Sequence, residues 1–427
     1  MEAIGVGLLG LGVVGGGVAQ VLRERREAIT ALIGTPVVLR HALVRHREKP
    51  RVLSPDLLTT QPKDILYDPQ VHIVVEVMGG ELPALNYIRQ ALEAGKYVVT
   101  ANKEVMAKHG PELLALARER GVDIRYEASV GGGIPLITPF RQDFLANHIA
   151  AIYAIINGTT NFILTRMAQE GQDFASALSQ AQKLGYAEAD PSNDIEGIDA
   201  AYKLAILATL AFHTRVRPQD VHREGISHLS ARDFRYAREL GYTIKLLAIG
   251  RAEEEGVQVR VHPTFLPQDR LLAKVDGVFN AVQVEGDLTG PVLFYGQGAG
   301  SQPTSSAVVA DIINLAQDLA FGPRRRPPLL LEPPIPLKPM AQLRTRYYLR
   351  MSVADRPGVL AQIARVLGDN QISIASVIQK EVDEAAQTAE IVIMTHLALE
   401  EAMQRALAEM ARLPKVAEVS NFVRVEG

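Results

Sequence analysis

Residues Gly10-Leu11-Gly12-Val13-Val14-Gly15 spell G-x-G-x-x-G, and their setting constrains the fold more than any other feature of the chain. An apolar run, Ala3–Leu9, leads into the loop, and a helix pattern, Val13–Arg26, leads out of it. Glycines there permit a tight strand-to-helix turn and let backbone amides at the helix N-terminus approach a pyrophosphate. Gly15, Gly16 and Gly17 also admit a plainer role, close packing of helix on strand. Further apolar runs at Val37–Val44, His72–Val77, Tyr97–Thr100 and Val122–Tyr126 are separated by helix patterns near Leu82–Ala94 and Pro111–Arg120. Continuous Val/Ile runs bounded by helices mark strands buried on both faces. Residues 1–130 therefore predict an α/β, Rossmann-type doubly wound parallel sheet that binds a dinucleotide. The second strand ends in Val44-Arg45-His46-Arg47. NAD-specific sites usually carry an acid there, for the ribose 2′-hydroxyl; a basic residue favours the 2′-phosphate of NADP. Arg45 is the first contact expected and Arg47 stands behind it. A solvated charged loop is the alternative, and use of NAD stays open.

The texture changes after Glu127. Ser129-Val130-Gly131-Gly132-Gly133-Ile134-Pro135 reads as a turn-rich hinge. Residues 131–303 then mix strands with helices near Asn161–Gln169, Phe174–Leu184 and Ile198–His213, an α+β catalytic domain. A helix over 304–320 is expected to return to the first domain. Residues 323–345 form a proline-rich linker, whose run Arg324–Arg326 reads as solvated rather than as a nucleic-acid contact. Residues 346–427 run strand, helix, strand, strand, helix, strand, the βαββαβ order of a ferredoxin-like domain.

Composition removes several chemistries. The chain has 427 residues, 47% of them hydrophobic, with a net charge of -3, so it has core material and no basic field for nucleic acid or an anionic membrane. It has no cysteine, which excludes thioester intermediates, iron–sulfur clusters and Cys-ligated zinc. Without a basic, apolar leader or an apolar stretch of about 18 residues, a cytoplasmic enzyme is the expectation.

Two lysines stand out. Lys103 follows a strand in Thr100-Ala101-Asn102-Lys103, at the sheet edge where ligands gather in open α/β folds. Lys203 lies four residues after Asp199, on one face of an otherwise apolar helix. A lysine near neutrality can exchange a proton with an alcohol. Burial and a neighbouring carboxylate act on a lysine in opposite directions, so spacing leaves the balance open, and an ordinary surface pair is the alternative. The acidic segment Gly185–Gly197, with Glu188 and Asp194, precedes this helix. Such acids suit a substrate ammonium or a divalent cation, or simply the helix dipole, and Asp194 also suits a helix cap.

The conjunction of the Gly10–Gly15 loop, Glu76–Gly80, Thr100–Lys103, Glu127–Pro135, Asn157-Gly158-Thr159-Thr160-Asn161 and Gly185–Lys203 resembles homoserine dehydrogenase across essentially the whole chain. The resemblance implies NAD(P)-linked interconversion of L-homoserine and L-aspartate 4-semialdehyde in threonine and methionine biosynthesis. It implies Lys203 as the acid/base, and Lys103 beside the nicotinamide holding the reacting oxygen. Glu188 and Asp199 would bind substrate, Glu188 meeting the ammonium, with Asp194 in support. Gly10, Gly12, Val13, Val14, Gly15, Thr100, Ser129 and Gly300 would border the cofactor. It further implies a monovalent cation, Na⁺ or K⁺, held by Glu127 and the carbonyls of Val130, Gly132 and Ile134.

Asp355-Arg356-Pro357-Gly358 at a strand-to-helix turn, within the βαββαβ unit, is similar to an ACT domain, a small-ligand regulatory module. Asp355 and Gly358 would face an effector, and the resemblance implies threonine, with a homodimer or homotetramer as the assembly; a purely dimer-forming role is the alternative. Deletion of residues 346–427 is then expected to abolish threonine inhibition and spare the dehydrogenase. A catalytically inert NADP-binding sensor and another NADP-linked reductase are the rival readings.

Overall fold

A computed structural model describes residues 2–49, 51–322, 329, 331, 334–383 and 387–426. Much of the proline-rich linker expectation, including Arg324–Arg326, lies outside the described residues. The chain divides into two compact units: Met1–Ala150 with Tyr202–Asp220 and Asn280–Ile335, and Ala151–Ala201 with Val221–Phe279 and Pro336–Gly427.

The first unit is built on six parallel strands: β1 (Ile4–Leu9), β2 (Val37–Leu43), β3 (Leu58–Thr59), β4 (Ile73–Glu76), β5 (Tyr97–Thr100) and β6 (Ile124–Arg125). Their order is β3-β2-β1-β4-β5-β6, so strand order reverses beside β1, with Val6 paired to both Leu39 and Ile73. One face of the sheet packs on the helices Val13–Glu24, Arg26–Ile33 and Ser301–Phe321 through a core that includes Val18, Leu22, Ile29, Val308, Ile312 and Leu315. Each of those six side chains is removed from water, worth about 1.5–3 kcal/mol for a large aliphatic group. Ala84–Glu93 and Lys103–Glu119 supply further helices, burying Ile88, Leu92 and Leu113. The second of these begins earlier than the sequence pattern indicates. Asn102 caps it by accepting from the Val105 amide at 3.1 Å, and Pro111 is carried inside it rather than starting it.

The second unit holds a continuous sheet whose strands lie in the order Ile149–Ile155, Tyr242–Glu253, Gly256–Pro267, Val416–Val425, Arg344–Ala354, Thr388–Thr395 and Ile374–Asp383. The last four are the antiparallel sheet of the βαββαβ domain, closed by the helices Val359–Asp369 and Glu400–Met410 over a core of Leu349, Met351, Ile363, Leu367, Ile391 and Met403. That domain is joined to the strand Gly256–Pro267 by a short parallel ladder, Thr264 to Arg424 and Phe265 to Val425. Part of the linker is structured too: Leu337 bridges Val257, and the Lys338 amide donates to the Val257 carbonyl at 2.8 Å. The fold is thus a Rossmann-type parallel sheet, an α+β region with a mixed sheet, and a C-terminal ferredoxin-like domain.

Candidate active site

A cavity of about 530 Å³ opens over the end of β1. Its lining includes Gly10 and Gly12 of the loop, Arg45, His46, Lys49 and Arg51 beyond β2, and Met78 beyond β4. Gly15 belongs to the turn's packing: a Cβ there would stand 2.3 Å from the Gly10 carbonyl oxygen. Gly12 has open space instead, and the helix behind it starts with no capping side chain. Uncapped amides at a helix N-terminus, facing a cavity walled by basic residues, suit a pyrophosphate and a further anionic group. Arg45 lines the cavity as the sequence reading expects. Arg47 turns away, its guanidinium donating to the Pro55 carbonyl at 3.0 Å. Lys49 and Arg51, which sequence reading passed over, take the wall instead, and Arg51 is tied to the Leu11 carbonyl at 2.9 Å.

The remaining cofactor candidates surround this loop. Val13 is exposed, and its carbonyl and that of Val14 accept from Ser301 and Ser305, both at 3.2 Å. Gly300, at φ +118°, starts that same helix. Thr100 is fully buried and donates to Glu76 at 2.6 Å, while the Met78 amide donates to the other Glu76 oxygen at 2.8 Å. Burial raises the Glu76 carboxyl above its ordinary value, and these donors act against that. Thr100 therefore fixes the loop after β4, and Ser129, also buried, donates to the Tyr126 carbonyl at 2.6 Å.

Both lysines lie in the first unit, each on a helix; that of Lys203 begins in the second unit, at Ile198. Lys103 is the first residue of Lys103–Glu119. Lys203 follows Tyr202 in Ile198–Ala211, and the Lys108 ammonium lies 5.6 Å from the Tyr202 ring centre. Met106 and Ala107 line a small cleft with Ala205 and Ile206. Both lysines are partly exposed.

The expected hinge is a 3₁₀ turn, Glu127–Ser129, a tight loop and a helix, Ile137–Gln142. Glu127 is buried, and its carboxylate accepts from the amides of Leu136, Ile137 and Thr138 and from the Thr138 hydroxyl, at 2.5–2.8 Å. It acts as a cap on that helix. The Glu127 amide donates to Asp311 at 2.9 Å, and burial pushes the Asp311 carboxyl up to about 8. Gly132, at φ +57°, approaches the second glycine cluster so closely that a Cβ would meet the Gly298 carbonyl oxygen at 2.6 Å. Val130 and Ile134 are buried beside it. Among the described residues no cluster of three His, Asp or Glu side chains could hold a metal.

In the second unit the acidic segment is gathered by a residue given no role from sequence. Asn157 is buried, and its amide nitrogen donates to Asp194 at 2.6 Å and to Asp199 at 2.9 Å. Its oxygen caps the helix Gly158–Glu170 by accepting from the Thr160 amide at 2.9 Å. One side chain thus joins two acids to a helix start. Asp194 lies in a helical turn of its own, Ser192–Ile195, rather than capping the next helix. Thr159 donates to the Tyr186 carbonyl at 2.6 Å, which pins the loop carrying Glu188. Glu188 itself is exposed, and Asp199 is buried. Lys245, buried in the sheet, donates to Val275 O at 2.6 Å and Asp276 at 2.9 Å and lies beside Asn161. The only sequence signal for Asn157 was its N-G-T-T-N setting, which reads equally well as a cap.

The C-terminal turn Asp355–Gly358 is exposed. Gly358, at φ +85°, precedes the helix Val359–Asp369, whose start has no side-chain cap.

Family models match three stretches of the chain: the NAD-binding domain of homoserine dehydrogenase at residues 10–127, homoserine dehydrogenase at 135–313 and an ACT domain at 347–415. Homoserine dehydrogenase from Neisseria gonorrhoeae is 44% identical over 100% of this chain and 99% of its own. The enzyme from Bacillus subtilis is 40% identical over the same shares. The crystal structure of a homoserine dehydrogenase from Thiobacillus denitrificans matches with a TM-score of 0.93 and 47% identity, over 100% of this chain and 99% of that one. A hyperthermophilic archaeal homoserine dehydrogenase in complex with NADPH matches 73% of this chain and 97% of its own, with a TM-score of 0.63 and 28% identity. The Rossmann-type cavity, the paired lysine helices and the tethered acids lie within a chain that belongs to the homoserine dehydrogenase family.

Proposed function

We propose that this homoserine dehydrogenase moves the substrate hydroxyl proton through Lys203, while Lys103 holds the reacting oxygen. When bound, the nicotinamide cofactor accepts hydride from homoserine C4, or returns it to the aldehyde. In the oxidative direction the C4 alcohol loses hydride and its hydroxyl proton, and Lys203 receives the proton; reduction reverses both. Glu188 and Asp199 bind the amino-acid end of the substrate, Glu188 meeting the ammonium and Asp194 supporting Asp199. The observation that carries this reading is the Asn157 bridge. It holds Asp194 and Asp199 together immediately ahead of Lys203, one helical turn beyond Asp199.

NADP is the proposed preferred cofactor, because Arg45 and Lys49 line the cavity beyond β2 and, among the described residues, no acid lines it where an NAD-specific site places one. An archaeal relative crystallised with NADPH supports this. A monovalent cation is proposed at the carbonyls of Val130, Gly132 and Ile134. With its carboxylate capping a helix, Glu127 would shape that loop as well as lend charge. The ACT domain is proposed to take threonine at the Asp355–Gly358 turn, where uncapped amides suit a carboxylate. A symmetric dimer or tetramer is proposed as the assembly. Apolar surface on the strand Gly290–Gln297, where Tyr295 is 55% exposed, supports it.

The test is absorbance of reduced cofactor with L-homoserine, with NADP and NAD in parallel and with and without threonine. Homoserine-dependent reduction, faster with NADP and slowed by threonine, is the expected result. Equal rates with the two cofactors overturn the Arg45 argument. No response to threonine overturns the effector assignment.

A further inference from the structure

The C-terminal domain reaches the acidic segment through one ion pair, buried on its arginine side. Arg424, on the closing strand Val416–Val425, is 1% exposed. Its guanidinium grips both oxygens of the buried Glu400 within its own domain, and its remaining nitrogen donates to Glu224 at 2.8 Å. Glu224 stands just past the two-residue strand His222–Arg223. That strand pairs with Arg260 and Val261, while Arg424 and Val425 pair with Thr264 and Phe265 on the same strand. Glu224 therefore bridges two segments laid end to end along one side of that strand. His222 adds a bond to its other oxygen at 2.9 Å.

Glu224 is followed by a close chain crossing. The Ile226 amide donates to the Ile195 carbonyl at 2.9 Å, and the Arg223 guanidinium to the Glu196 carbonyl at 3.3 Å. A Cβ on Gly225 would meet the Ile195 carbonyl oxygen at 2.6 Å, so only glycine allows this approach. Ile195–Gly197 makes up all but Ile198 of the link between Asp194 and Asp199. From Glu400 to those two acids every step is a packed contact or one or two covalent residues, and all lie in one compact unit.

We propose that Glu224 is a positioning residue: clamped by Arg424, it sets the Ile195–Gly197 segment and so couples the C-terminal domain to the amino-acid substrate. Its action falls on homoserine rather than on the cofactor, whose cavity lies in the other unit. The regulatory half of the inference rests on the proposed effector role of the ACT domain. A second buried anchor supplies a control. Arg350 of the C-terminal domain donates to Asp233 at 2.7 Å, and Asn421 donates to Asp233 at 2.8 Å. Asp233 caps the helix Ala231–Glu239, and none of the contacts described for it involves residues 194–199.

The test compares full-length wild type with Glu224→Gln and Asp233→Asn. Each is nearly isosteric and takes one charge from an ion pair with a buried arginine. Melting temperature, KM for homoserine, KM for NADP and the effect of added L-threonine are measured on each. Glu224→Gln is expected to raise KM for homoserine about fivefold or more with KM for NADP unchanged, and to weaken the threonine effect on homoserine. Asp233→Asn is expected to lower the melting temperature and leave both KM values within about twofold. Equal homoserine KM shifts in the two variants, or no shift in Glu224→Gln, overturn the proposal. If threonine leaves the wild type unaffected, the effector assignment fails, and the KM comparison still decides the positioning role.

Discussion

Replacement of Asn157 offers the sharpest test of how the acidic segment is held. Its amide nitrogen serves Asp194 and Asp199 at 2.6 and 2.9 Å, and its oxygen caps a helix at 2.9 Å. Asn157→Ala removes all three contacts. A lost N-cap costs about 1 kcal/mol. A lost hydrogen bond to a charged group costs about 1.5–3 kcal/mol, and Asp199 is buried enough to feel it. The alanine variant should therefore lose about 2.5–4 kcal/mol of stability. If the Asp199 bond acts mainly on substrate, about 1.5–3 kcal/mol corresponds to a rise of roughly ten- to a hundredfold in KM for homoserine. Asn157→Ser separates the two functions. A serine hydroxyl can still cap the Thr160 amide, but it is too short to span both acids. It should keep more of the melting temperature and share the KM defect, with KM for NADP unchanged. Steady-state kinetics and thermal melts on both variants settle the matter. A serine variant with wild-type homoserine KM would refute the claim that this amide positions the acids.

Lys203→Ala should lower turnover by roughly 100-fold or more while NADP binding, followed by fluorescence titration, persists. The same result separates the enzyme from an inert sensor. Arg45→Ala should raise KM for NADP by roughly tenfold or more and leave KM for NAD unaltered, as expected for a lost charge-assisted contact to a phosphate. If neither constant moves, Arg45 belongs to a solvated loop. Burial opposes ionisation of Asp233 and Glu224, but Arg350 and Asn421 on the first, and His222 and Arg424 on the second, hold each below its ordinary value of 3.8 or 4.5. A carboxyl with a depressed native pKa contributes its full stability above the unfolded value and loses it as pH falls through the native one. The melting temperature should therefore owe no slope to these two groups above about pH 5.5 and should fall below pH 4; Asp233→Asn should flatten that acid limb.

The parallel sheet was legible because its signals are local. Apolar runs, a glycine turn and intervening helix periods identify β1, β2, β4 and β5 without knowledge of the rest. The helix at Lys103 starts ahead of the Pro111–Arg120 pattern because Asn102 caps it and Pro111 is accommodated inside it. The helix Ala231–Glu239 went unread despite Ser230 and Asp233 standing at capping-box spacing. The cofactor wall was half legible: Arg45 follows its strand directly, whereas Arg51 enters by crossing 40 residues back to Leu11. Asn157 and Glu224 were out of reach. Asn157 meets its acids across 37 and 42 residues, and Glu224 meets Arg424 across 200, and neither separation leaves a periodic trace.

The same long-range contacts change what deletion of residues 346–427 should do. As a sequence, the ACT unit looks detachable behind its proline-rich linker. In the fold its closing strand continues the sheet beside Gly256–Pro267, and Tyr348 stacks on Phe265 with ring centres 4.4 Å apart. Deletion would strip Arg350 and Asn421 from the buried Asp233 and Arg424 from Glu224, and would take Glu426 from the buried Arg260. Breaking one buried pair by removing a single partner typically costs about 3–5 kcal/mol, a large share of a domain's stability. It would also leave unpaired strand edge and a bared aromatic face, both prone to association. The truncated chain should therefore melt well below wild type and aggregate, and its loss of threonine response would not by itself identify a regulatory role. A truncated enzyme with wild-type melting temperature and homoserine KM would refute this view of the joint. Point substitutions at the exposed Asp355–Gly358 turn leave the shared sheet intact. They are the cleaner way to ask whether threonine acts there.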